Sequence, residues 1–217
     1  EFGGLDGDSL SVTMLNSGPS FTSAASISPN TSAKTGAELT CSAEGSDPND
    51  GVLVVSYNWN VGGVAVGTSD SETYIVDADE TDVGNVIECV ASVEDTEGET
   101  AESTSTVTVE NTEPTVESVS LDQSVAYNDT TLICSSTVSD PDETPNTTYT
   151  WQKNGSDLVN GQSIVLSDYN VMPEDEIGCI VVAKDSSNTE DSQETNIVLS
   201  NRDPVLAPPV ISLTEVE

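Results

Sequence analysis

Four cysteines and a dense population of carboxylates are the side chains here with an obvious chemistry. The cysteines stand at 41, 89, 134 and 179, and 39 acidic residues face 4 basic ones with no histidine. The cysteine spacings contain no C-x-x-C knuckle, so a four-cysteine zinc site is a poor fit. The carboxylates gather with asparagines in short, turn-like stretches: Asp47, Asn49 and Asp50; Asp95; Asp140, Asp142 and Glu143; Asp185. Calcium takes roughly six to eight oxygen ligands from carboxylates, amides and backbone carbonyls, and such turns offer all three. The opposing reading is that Asp-Pro and Asn-Asp-Gly are simply good turn formers in an acidic chain. Neither an EF-hand nor a nonapeptide calcium motif is present to decide between them.

Composition removes several functions. A formal charge of −35 over 217 residues would repel nucleic acid, whose binding depends on Lys and Arg displacing counterions. Attachment to an anionic membrane fails for the same reason. Mechanisms built on a histidine base or a histidine-bound metal are excluded outright. Serine nucleophiles lack a base, since Lys34, Lys153 and Lys184 sit in no S-x-x-K motif. Two carboxylates could hydrolyse a glycoside, but among 39 some pair always stands at a suitable distance, so that signal is empty. The chain reads as no enzyme. No apolar run approaches the roughly 20 residues of a membrane-spanning helix. The start lacks the charged-then-apolar pattern of a signal peptide, so the chain reads as mature or excised.

The elements that position these residues are repeated. Leu39-Thr40-Cys41-Ser42 returns as Leu132-Ile133-Cys134-Ser135, and Ser46-Asp47-Pro48 as Ser139-Asp140-Pro141 at the same offset. Trp59 answers to Trp151, Cys89 to Cys179 and Asp95 to Asp185, in preserved order. Two homologous modules of about 90 residues follow. Asn16-Ser17-Gly18-Pro19, Asn111-Thr112-Glu113-Pro114 and Asn201-Arg202-Asp203-Pro204 mark the junctions. Each lies between β-like runs, where proline stops a ladder and fixes φ, as a short stiff linker requires.

Short runs rich in Val, Thr, Ile and Tyr alternate with Gly, Pro, Asn and Asp clusters, and no helical period appears. The first module predicts strands over 20–28, 37–44, 52–60, 62–66, 71–76, 85–93 and 103–110. The second predicts them over 115–123, 130–138, 147–154, 157–160, 162–167, 176–184 and 193–200. Seven short strands per module describe an all-β chain of two sandwiches.

Cys41, Trp59 and Cys89 fall on the second, third and sixth of these strands, as do Cys134, Trp151 and Cys179. That order resembles the immunoglobulin fold, in which the cysteines bridge the sheets and the tryptophan packs on the bridge. The chain is similar in particular to the tandem immunoglobulin-like or PKD-like repeats of large microbial surface proteins, through its acidic D-P-D/N loop and its Asn-x-x-Pro junctions. One feature departs: Ile87 and Ile177 stand where a tyrosine two residues before the second cysteine is usual. The resemblance, repeated twice, implies disulfides Cys41–Cys89 and Cys134–Cys179 and hence an oxidising, extracellular location.

The expected organisation is an orphan strand over 1–15, domains over 16–110 and 111–200, and a linker with a second orphan strand over 201–217. In such sandwiches the second-to-third and sixth-to-seventh strand loops meet at one end beside the incoming linker. That end would collect Asn16, Asp47, Asn49, Asp50 and Asp95 in the first domain. In the second it would collect Asn111, Glu113, Asp140, Asp142, Glu143 and Asp185 as calcium ligands. Sequons occur at Asn30, Asn128, Asn146 and Asn154, the number chance alone would give. The orphan strands either add to other copies, joining subunits head to tail, or mark a piece of a longer array. The expected function is a structural segment of a surface filament or stalk. An adhesin or carbohydrate-binding module is the alternative, weakened because loops 45–51, 94–102, 139–146 and 185–192 contain no aromatic residue.

Overall fold

The computed structural model describes Val12 and residues 15–206. The chain forms two compact units, Glu1–Thr112 and Glu113–Glu217. In the first, the strands are β1 (Ser20–Ser28), β2 (Glu38–Asp47), β3 (Gly51–Leu53), β4 (Ser56–Val61), β5 (Val64–Val66), β6 (Thr73–Ile75), β7 (Val86–Glu94) and β8 (Thr100–Thr108). In the second they are β9 (Thr115–Leu121), β10 (Thr131–Ser139), β11 (Asn146–Lys153), β12 (Ser156–Asn160), β13 (Ser163–Val165), β14 (Glu176–Lys184) and β15 (Glu190–Val198). A 3-10 turn, Leu166–Asp168, follows β13. No helix among the described residues is long and apolar enough to cross a membrane. Of the orphan strand expected over 1–15 and the linker with orphan strand expected over 201–217, only Val12, Leu15 and residues 201–206 are described, none of them in a strand; the rest lies outside the described residues.

Each unit is an antiparallel immunoglobulin-like sandwich. One sheet orders β1-β2-β3 with β6 also on β2, and faces β5-β4-β7-β8. The second unit repeats this as β9-β10-β13 and β12-β11-β14-β15. Alternation sets the faces. Along β7, Ile87, Cys89, Ala91 and Val93 point inward; along β14, Ile177, Cys179, Val181 and Ala183 do so. Two-residue hairpins bring β5 and β12 alongside β4 and β11. Gly62 and Gly63 take φ of 57° and 82°, and Asn154 and Gly155 take 50° and 78°, the signs a type I′ turn demands.

The disulfides join Cys41 to Cys89 and Cys134 to Cys179, with Cα–Cα distances of 6.4 and 6.5 Å. Trp59 and Trp151 lie fully buried in the two cores. Their indole N–H groups donate to Ser71 O at 3.0 Å and Gly161 O at 2.9 Å. Ile87 and Ile177 are likewise buried, filling the place of the absent tyrosine.

One expected strand is corrected. The run 52–60 is not continuous: β3 pairs with β2, whereas β4 pairs with β7 in the facing sheet. Gly51, at φ 81°, turns the chain back so that Asp47 pairs with Gly51, and Val54-Val55 cross between sheets. Among the described residues the first unit therefore has eight strands rather than the expected seven. In the second, Thr144-Pro145 occupy this stretch without a glycine, and proline brings no N–H to a ladder, so no equivalent of β3 forms.

The two cores solve one packing problem in opposite ways. A Cβ on Gly45 would stand 2.6 Å from Val93 Cγ1. At the matching positions the second unit has Val138 and Ala183, with bulk and space exchanged between the sheets. Gly45→Ala is expected to cost about 1–3 kcal/mol through overpacking. The same change in a Val93→Ala background should cost much less. A double-mutant cycle from urea midpoints measures this coupling, and additive costs would refute it.

Candidate functional site

The end of each sandwich beyond the disulfide is where the acidic turns converge. Asp47 and Asp95 each stand six residues after a bridged cysteine, and Asp140 and Asp185 repeat that spacing. An even step along a strand keeps a side chain on the core face, roughly 20 Å beyond the bridge after six residues. Asp47, Asp95 and Asp185 accordingly turn inward rather than to solvent, while Asp140 is half-buried. Asp47 is 3% exposed, Asp95 6% and Asp185 7%.

In the first unit three segments are tied together. Asp47 Oδ1 accepts the backbone N–H groups of Asn49 at 2.6 Å and Asp50 at 3.0 Å, closing the turn after β2. Asp95 Oδ1 accepts from Glu97 N and Glu99 N at 3.0 and 2.8 Å, closing the turn after β7. Asp50 joins the two turns by accepting from Thr96 N and Thr96 Oγ1. The incoming segment is fastened twice. Asn16 Nδ2 donates to Asp95 Oδ2 at 2.9 Å, and Ser17 N donates to Asn49 Oδ1 at 2.9 Å. The Asn16 amide, followed by the backbone N–H groups of Glu99 and Glu97, holds the Asp95 carboxyl below its usual range. A concavity of about 310 Å³ opens here, lined by Leu15, Asn16, Asn49 and Glu97. All five residues expected at this end are therefore brought together.

In the second unit Asp140 Oδ1 accepts from Asp142 N at 2.9 Å. Asp185 accepts from Thr189 N at 2.8 Å and from the Thr189 hydroxyl, and Glu143 accepts from Ser186 N. The Glu143–Ser186 bond joins the turns as Asp50–Thr96 does in the first unit. Asn111 lies at the end of the first unit, and exposed Glu113 opens the second. Among the described residues no group of three or more His, Cys, Asp or Glu is arranged to hold a metal ion.

Sequence reasoning missed a second repeated contact. Tyr57 and Tyr149 each precede the core tryptophan by two residues and cross to the opposite sheet. The Tyr57 hydroxyl accepts from Ala43 N at 3.1 Å, and the Tyr149 hydroxyl lies 2.9 Å from Ser136 Oγ. The signal was present as Tyr-x-Trp in both modules.

The sequon asparagines 30, 128, 146 and 154 are all exposed. Asn154 is already engaged: Nδ2 donates to Asp175 Oδ1 at 2.8 Å and Oδ1 accepts from Glu176 N at 2.9 Å. Asp175 also accepts from Met172 N and pairs with Lys153 at 3.0 Å. The Asn154 amide, then the Met172 N–H and Lys153, bring its carboxyl down to about 2. A depressed carboxyl stabilises the fold fully above its ordinary value near 3.9, and that contribution is lost as pH falls through about 2. Asp175→Asn should therefore lower the thermal midpoint at pH 6 but barely alter it near pH 2, read by circular dichroism. Equal losses at both pH values would refute the assignment.

No protein-family model and no curated protein matches this chain. Solved structures resemble it weakly. Fibronectin(III)-like modules of CbhA from Clostridium thermocellum are 15% identical, covering 81% of this chain and 94% of that one, with a TM-score of 0.31. The ectodomain of mouse nectin-like molecule 4 is 14% identical, covering 86% and 67%, with a TM-score of 0.34. A structure from a 1.5-MDa bacterial ice-binding adhesin is 15% identical, covering 86% and 66%, with a TM-score of 0.33. With scores of that size, the fold assignment rests on the two sandwiches themselves.

Proposed function

We propose that this chain is a non-enzymatic structural segment of an extracellular or cell-surface protein. Its tandem immunoglobulin-like units act as spacers in a filament or stalk, joined head to tail to further copies or repeats. The observation that carries this reading is the duplication of one complete sandwich, with the same bridge, tryptophan and acidic end built twice. Duplicating a self-sufficient unit adds length without adding a new site, which is what a spacer needs. Disulfides persist in oxidising compartments, which supports the location. The charge of −35 supports a fibre that stays dispersed, since like-charged neighbours repel.

The test compares native particle mass and shape with the denatured chain mass. Filaments that fall to 22.6 kDa chains in denaturant support assembly from this chain. Fibres whose denatured chains are far heavier support a segment of a longer repeat protein. A compact 22.6 kDa monomer that retains a surface ligand on a single unit would overturn the spacer reading in favour of an adhesive one.

A further inference from the structure

Two side-chain oxygens among the described residues are buried without any hydrogen-bond partner, Asp47 Oδ2 and Asp140 Oδ2. They are the same atom of the same residue in the two repeats. An orphaned carboxylate oxygen is costly, because it loses water and gains nothing in return. One such atom is an isolated defect; the same atom orphaned twice in one register points to something that both ends are built to hold. The surroundings sharpen the cost in the first unit, where Asp47 shares its end with Asp50, Asp95, Glu97 and Glu99. In the second, Asp142, Glu143 and Asp185 share the end with Asp140.

We propose that each sandwich binds one calcium ion at its acidic end, with Asp47 Oδ2 as the anchoring ligand in the first unit and Asp140 Oδ2 in the second. In the first unit Asn49 and Glu97 stand at the same end, lining the concavity with Leu15 and Asn16, and are the side chains there that could add further oxygens. Among the described residues no three carboxylates at either end are grouped so as to hold a metal ion by themselves. An ion there would have to draw on amide, carbonyl and water oxygens besides its anchoring carboxylate, a mixed set that calcium accepts in irregular geometry and zinc does not. The ion adds a link across turns already joined by Asp50–Thr96 and by Glu143–Ser186. This inference stands on the buried oxygens alone and does not depend on the spacer reading.

The test is a calorimetric titration of the chelator-stripped full chain with calcium chloride, paired with thermal unfolding. Two saturable ions per chain are expected, with free calcium at tenfold its Kd raising the midpoint by about 5–10 °C. Asp47→Asn keeps an oxygen to close its turn but removes the charge, and should leave one ion. Asp47→Asn with Asp140→Asn should leave none and abolish the midpoint shift. Circular dichroism in chelator confirms that the variants remain folded, and the wild-type titration needs no variant at all. Absence of saturable binding to the wild type would overturn the proposal. So would many weak sites, or two sites that persist in the double variant. None of these outcomes bears on particle mass, so the spacer reading and the calcium sites fail separately.

Discussion

Replacing Cys41 and Cys89 together with alanine is expected to remove about 4 kcal/mol from the first unit. The bridge closes a 48-residue separation, and the chain-entropy model assigns a loop of that size about that much. The unit it staples has roughly 90 residues, for which total stability is on the order of 5–13 kcal/mol. Its core is also short of bulk, since aromatic residues make up 4% of the chain. A third or more of the margin therefore resides in one covalent bond. The two half-cystines are 1% and 0% exposed, so alanine leaves a small void besides the lost constraint. Urea midpoints followed by Trp59 fluorescence measure the loss in the first unit, and Cys134→Ala with Cys179→Ala makes the parallel test in the second. A fall below about 1 kcal/mol would mean that the reduced unfolded chain is already compact.

Much of this architecture is legible in the sequence because it is written twice. The tetrapeptides around Cys41 and Cys134, the paired tryptophans and the aspartates at 95 and 185 locate the sheets without any helix-or-strand ambiguity. What escapes are features set by single residues. Gly51 creates β3, and its absence from the second module is visible only once the hairpin register is known. The inward set of Asp47 follows from its even spacing to Cys41, yet Asp-Pro reads locally as an exposed turn. Here register overrides turn chemistry, placing a carboxylate on the core face of a strand. The tyrosine hydroxyls of Tyr57 and Tyr149 escape for a related reason. Their partners lie 14 and 13 residues upstream on the opposite sheet, a distance that no local pattern encodes.

Trp59→Ala and Trp151→Ala are each expected to cost about 3–5 kcal/mol, at the upper end for core truncations. Both indoles sit against the disulfide strands with essentially no exposure, so the deleted volume becomes a cavity rather than a surface dent. The loss also leaves Ser71 O or Gly161 O without its donor, adding about 1 kcal/mol or more if the carbonyl stays dry. The two sites should then differ in how they respond to phenylalanine. In the first unit the Trp59 ring stacks on Tyr74 with centroids 5.7 Å apart. Tyr74 is fixed in turn by donating to Glu80 at 3.1 Å, and burial, reinforced by that carboxylate, pushes its hydroxyl up to about 12. A phenylalanine at 59 retains the stacked face and should recover more than half of the alanine loss. The second unit has Ile164 at the position of Tyr74, so Trp151→Phe keeps no aromatic partner and should recover less. Each substitution removes the fluorophore of its own unit, so the change is read from far-ultraviolet dichroism, while the remaining tryptophan reports on the other unit. Equal recovery by phenylalanine at both sites would show that volume alone, and not the Tyr74 stack, sets the energy of these cores.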